Sequence, residues 1–271
     1  MRLDGMFGLH HFLFLFITIA LGSVIVYIFY AKLKDENKRT LALKILAGVW
    51  FSFGLAHQIV YAAEVMRGPN LAGWTWPQLM LPFTYCSFLS IVTPLVIIFF
   101  KKDNRALHCL TYFSFFGGFS IFFPAWLNDN TSFFLPSSIL AMFHHAFMLL
   151  TSILLIVTKY IKPSMKRFYI YPVGVAMIIL LGVLEKYVLK FPIGMMIGIP
   201  LFDKMPHLTS WWGLWLGGTF LVLIFLFLYE FIVYKKEAKE IFDVRGIFDD
   251  FAFIKNKDKK VKKKGKSNSS N

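Results

Sequence analysis

MFGLHHFLFLFITIALGSVIVYIFY, residues 6–30, decides the class of fold. The run carries no Lys, Arg, Asp or Glu. At about 1.5 Å of rise per residue, a helix of this length crosses the ~30 Å hydrocarbon layer of a bilayer. It exceeds the apolar segment of a signal peptide, about 7–15 residues, and runs on past any plausible cleavage site. It therefore reads as a first membrane span. Further apolar runs follow at about 41–65, 79–100, 106–127, 139–158, 169–189 and 210–234. An open strand leaves backbone groups unpaired in lipid, so helices are the expected element, and the alternating pattern of a barrel is missing.

The expected fold is an all-α polytopic membrane protein with seven transmembrane helices. Residues 1–234 form the membrane domain and 235–271 a basic cytoplasmic tail whose last part is disordered. The 57% hydrophobic content and mean hydropathy of +0.62 agree with that class and not with a soluble domain. The net charge of +14 is concentrated rather than spread. Lys and Arg cluster in loops 31–40, 101–105 and 159–168 and in the tail, which places those segments on the cytoplasmic side and the N-terminus outside. The tail, with twelve of the 29 basic residues, reads as a topology determinant that also touches anionic lipid, not as a nucleic-acid arm. Abundant Lys and Phe point to a bacterial chain, hence to the plasma membrane. Trp74, Trp76, Trp211 and Trp212 fit an aromatic belt at the outer interface.

Ionisable groups within membrane helices are costly and point to function. In this topology they gather near the outer face: Cys86 in LPFTYCSF, His144 and His145 in AMFHHAFM, with His57, Glu64 and Glu185. His10, His11 and His207 lie close to the same surface, and only His108 belongs to the inner side. The expected third span puts Cys86 about seven residues, roughly 10 Å, below its outer end. Pro82, Cys86, Ser90 and Thr93 then share one stripe. On the fifth span His144 shares a stripe with Ala141, Met148 and Thr151, and His145 with Ser138 and Ser152. A thiol is a weak nucleophile until a base takes its proton, and imidazole is the usual base. Neighbouring residues differ by about 100° around a helix, so one histidine of the two faces Cys86, and the stripes do not choose between them. Taken singly, Cys86 and Cys109 read as apolar filler, His108 as a packing residue and Gly117–Gly118 as a close helix contact. No disulfide framework, CxxC or zinc spacing is present, and no cofactor is called for.

LPFTYC (81–86) resembles the Leu-Pro-x-x-x-Cys signature at the third span of the YwaF-like integral membrane proteins, a family that extends to the eukaryotic transmembrane protein 164 group. The order of SFFGGFSIFFPAW (114–126), FHH (143–145) and HLTSWWGLW (207–215) resembles it too, over most of residues 40–234. The resemblance implies an acyltransferase that moves fatty acyl chains between phospholipids, with Cys86 as nucleophile and His144 or His145 as base. Such an enzyme passes the acyl chain through a Cys thioester to a lysolipid or amine acceptor; with water as acceptor it is a lipid hydrolase. His57, Tyr85, Glu64 and Glu185 are then candidates for holding substrate, and Thr84, Tyr85 and His57 for the oxyanion. Family members often carry an acidic residue after the Pro that ends span four, where this chain has Ala125 and Trp126. Two readings compete: an outward-facing solute-binding transport subunit, and haem or metal held by His57, His144 and His145.

Overall fold

The computed structural model describes residues 7–67, 75–82, 84–123, 132–191 and 213–241. Among these residues every element is helical. Helix α1 spans Leu9–Tyr27 and continues through a π-helical turn, Ile28–Lys32. Helix α2 is Glu36–Arg67, the short α3 is Trp76–Met80, and α4 is Tyr85–Phe99. Helix α5 is Arg105–Gly118, α6 is Pro136–Val157, α7 is Ile170–Val183 and α8 is Gly218–Val233. Five helical stretches are long and apolar enough to cross a membrane: Leu9–Lys32, Glu36–Arg67, Pro136–Val157, Met165–Val188 and Trp215–Val233.

The third and fourth expected spans are shorter than the sequence suggests. A continuous helix from 79 is broken ahead of Tyr85. Pro82 has no N–H to donate and disfavours helical backbone at the residue before it, and Leu81 is extended at φ −84°, ψ 149°. Thr84 then starts a new helix, its hydroxyl accepting from the Ser87 N–H at 3.1 Å. Cys86 therefore sits in the first turn of α4, not seven residues into a span. Pro82 lies outside that helix, so the expected stripe begins at Cys86 rather than at Pro82. Where the fourth span is expected, the helix runs Arg105–Gly118 and is followed by a short 3₁₀ turn, Phe119–Ile121.

Four helices make the polar core. Helix α2 packs on both α4 and α6, and α5 packs on the same two from the other side. Helices α4 and α6 face each other more loosely across the centre. Missing side chains set the spacing. A methyl on Gly118 would lie 2.5 Å from the Leu149 backbone nitrogen, and one on Gly54 would lie 2.7 Å from the Ser90 hydroxyl. Small residues are the usual means by which helices associate in lipid, where burial of apolar surface drives nothing. The outer faces of α1, α7 and α8 expose apolar side chains, as lipid contact requires; Phe16 is 72% exposed and Leu180 67%. Cys109 fills the space beside Gly174, as expected of an apolar filler.

A polar network closes the end of the bundle that carries the basic loops. Asp103 Oδ1 accepts from His108 Nε2 and from the Lys162 N–H, both at 2.8 Å, and Oδ2 lies 3.1 Å from Arg167 Nη1. Partial burial pushes the Asp103 carboxyl up. The hydrogen bonds from His108 and the Lys162 N–H, with the Arg167 charge, outweigh that and hold it down at about 2. The tail beyond residue 241, and Trp74, His207, Trp211 and Trp212, lie outside the described residues, as does the Trp76 side chain.

Two outcomes check this packing. Gly118→Val drives a side chain into the α6 backbone and is expected to cost at least about 1–3 kcal/mol, read as a lower unfolding temperature in detergent. Asp103 titrates below its unfolded value, so its contribution is present above that value and is lost as pH falls through about 2. Asp103→Asn is thus expected to lower stability at neutral pH, with the gap to wild type closing from about pH 4 downward.

Candidate functional site

The break at Pro82 leaves carbonyls without helical partners, and α2 supplies a donor for them. Gln58 is 1% exposed. Its side-chain amide donates to the carbonyls of Leu79 and, at 3.0 Å, Leu81. This fixes the chain just before the helix that starts beside Cys86. Gln58 carries a signal in the sequence itself, as an amide next to His57 in an apolar helix.

Cys86 is the second residue of α4. Of the first-turn N–H groups, that of Ser87 is capped by Thr84, and those of Tyr85 and Cys86 have no intrahelical acceptor. Around the thiol, a methyl built on Gly117 would lie 3.8 Å from Cys86 Sγ, 3.3 Å from the Tyr85 ring and 2.5 Å from Met148 Cε. Gly117 is thus the meeting point of the Cys86 turn with α6. Below it, Thr84 Oγ1 donates to Ser87 Oγ at 2.9 Å, and Thr93 Oγ1 and Ser114 Oγ pair at 3.2 Å between α4 and α5.

One turn above Met148 on α6 are the two histidines. Both are buried, His144 at 1% and His145 at 4% exposure, because α1, α2 and α5 all pack on this helix. His145 Nδ1 lies 2.7 Å from the Ala141 carbonyl. A carbonyl only accepts, so the proton is on Nδ1 and Nε2 is the basic nitrogen. The His144 ring lies 4.0 Å from that of His145 and 4.7 Å from that of His57 on α2, centroid to centroid. Neither ring nitrogen of His144 has a hydrogen-bond partner among the described residues. Such orphaned polar atoms at a buried site call for an explanation, and a bound reactant is one. The rings are tilted to one another, His144 by 47° to His145 and by 30° to His57, and among the described residues no group of three or more His, Cys, Asp or Glu could hold a metal ion.

The other candidates divide. His57 joins the histidine cluster and Tyr85 borders Cys86. Glu64 accepts from the Ser137 N–H at 3.1 Å and so caps the start of α6. Glu185 is buried in the π-helical turn Leu184–Val188 that extends α7. His11 is structural, its Nε2 lying 2.7 Å from the Ile121 carbonyl, and His10 packs edge-on against Phe134.

These features define a polytopic helical membrane protein with a thiol and a histidine cluster at its polar centre. The TMEM164 family model matches residues 6–230, and the chain belongs to that family. No curated protein and no solved structure matches it.

Gln58→Leu keeps the volume but strands the Leu79 and Leu81 carbonyls. It is expected to destabilise by about 1–3 kcal/mol. The Cys86 turn loosens with it, so alkylation of Cys86 by a membrane-permeant maleimide is expected to quicken relative to Cys109.

Proposed function

We propose that this protein is a membrane acyltransferase in which Cys86 carries a fatty acyl chain as a thioester, with His144 as the base. The reading includes seven spans with the N-terminus outside and the basic loops inside, which sets Cys86 near the ester level of the outer leaflet. The observation that supports it is that Cys86 Sγ and Met148 Cε both lie beside Gly117, and His144 stands one turn from Met148 on α6.

The packing of α6 favours His144 over His145. Phe143 and Phe147 stack on Phe53 of α2, and Leu149 meets Gly118 of α5. His144 and Met148 lie between those two faces, on the side turned toward the bundle centre and α4. His145 and His57 flank the ring of His144 and hold its orientation.

In this scheme the Cys86 proton passes to His144. The thiolate attacks the carbonyl carbon of a phospholipid ester and forms a C–S bond. The oxyanion is held by the first-turn N–H groups of Tyr85 and Cys86, with the Tyr85 hydroxyl as a further donor. Collapse breaks the C–O bond, and the leaving lysolipid oxygen takes the proton from His144. An acceptor hydroxyl or amine then gives its proton to His144 and attacks the thioester, which releases the thiolate. Water in the acceptor's place gives a hydrolase, so the exclusion of water from the core decides between transfer and hydrolysis. Glu64, as a helix cap, has a structural part in this scheme, whereas Tyr85 and His57 stay beside the reacting atoms.

Reconstituted protein supplied with an isotope-labelled phospholipid and a lysophospholipid is expected to exchange acyl chains. Cys86→Ala abolishes exchange, and His144→Ala lowers it by about 10²–10⁴-fold. His145→Ala has a smaller effect. A Cys86→Ala protein with full exchange sinks the proposal, and a His145→Ala loss larger than that of His144→Ala reverses the assignment of the base.

A further inference from the structure

At the basic end of the bundle, remote from Cys86, the loops border an open cavity of about 610 Å³. Its lining includes Arg39, Lys102, Lys159 and Lys162 with two carboxylates, Glu36 and Asp103. Both carboxylates are already engaged: Glu36 pairs with Lys102, and Asp103 is taken by His108 and Arg167. Among the described residues Arg39, Lys159 and Lys162 are then left without a carboxylate partner. The cavity holds excess positive charge in a concave site of the size that small ligands occupy, about 300–1,000 Å³.

The walls are fixed. The Asp103 N–H donates to the Tyr160 carbonyl at 3.1 Å and the Lys162 N–H returns to the Asp103 carboxylate at 2.8 Å, so the loops at 101–104 and 158–162 are tied together. Two lining residues, Asp103 and Lys159, have left-handed backbone, at φ 58° and 56°. Lys159 stands just past the end of α6, where glycine is the usual choice. Cations that only set topology need no fixed loop.

The surroundings say what fills it. Tyr30 lines the mouth and is 70% exposed, in the π-helical turn that ends α1. Above it α1 presents Tyr27, Val24 and Leu21, each more than half exposed, as an apolar track leading away from the cavity. A molecule with an anionic head and apolar chains fits both parts. We propose that this cavity binds the phosphate headgroup of an anionic phospholipid, with its acyl chains laid along α1. The site is independent of the Cys86 chemistry.

Native mass spectrometry of the full chain in detergent, titrated with phosphatidylglycerol, tests it. One tightly held lipid is expected, with affinity at least tenfold weaker in Arg39→Gln/Lys159→Asn/Lys162→Gln; asparagine tolerates the left-handed backbone. These side chains are partly or fully exposed, and circular dichroism checks the helix content; the single Arg39→Gln variant shows the same direction should the triple variant misfold. A tail variant, Lys262→Gln/Lys263→Gln/Lys264→Gln, is expected to keep the lipid, which separates the cavity from the tail. Unchanged affinity in the cavity variants, loss in the tail variant, or equal retention of phosphatidylcholine overturns the proposal. So does displacement of the lipid by excess inorganic phosphate, which would make free phosphate the ligand.

Discussion

The structure depends on how closely α5 and α6 approach at Gly118. With no side chain there, the Leu149 backbone comes within contact of the α5 backbone. That approach, with Gly54 against Ser90 on the other side, draws the four central helices together. In lipid such contacts are held by packing and polar pairing rather than by expulsion of water. Once the helices are this close, the polar groups on their inner faces have no lipid to meet. They must satisfy each other or a reactant.

Most of them do satisfy each other. Gln58 takes the carbonyls left by the Pro82 break, Thr84 caps α4, Glu64 caps α6, and Thr93 pairs with Ser114. Among the described residues Trp50 Nε1, Thr151 Oγ1 and Tyr171 OH also lack a partner, but His144 has both ring nitrogens unpartnered, beside His57 and His145. An imidazole kept in that state costs stability, and a site that accepts a proton from a thiol gives the cost a purpose. The basic end shows the opposite design. There His108 and Arg167 take up the Asp103 carboxylate, and surplus positive charge lines a cavity.

The helical class and the places of most helices were legible in hydropathy, because lipid contact demands long apolar runs. Membership of the family was legible in LPFTYC and the landmarks after it. The place of Cys86 in the first turn of α4 was not legible in hydropathy, which does not see a break. Pro82 and the Thr84–Ser87 cap carried that signal, and a reading of caps rather than of apolar length would have found it. The stripes on α6 did not separate His144 from His145 because the helix is packed on several sides, and burial on several sides erases the period. The Asp103–His108 pair was not legible because the two stand on either side of the start of α5, and Arg167, which completes the group, is distant in sequence.

The most direct measurement is intact-protein mass spectrometry after incubation with a phospholipid of a single acyl composition, followed by peptide mapping. The account predicts one acyl group on Cys86, released by neutral hydroxylamine as a thioester is, and much reduced in His144→Ala. An acyl group on another residue, or active acyl exchange with Cys86 unmodified and dispensable, would contradict it.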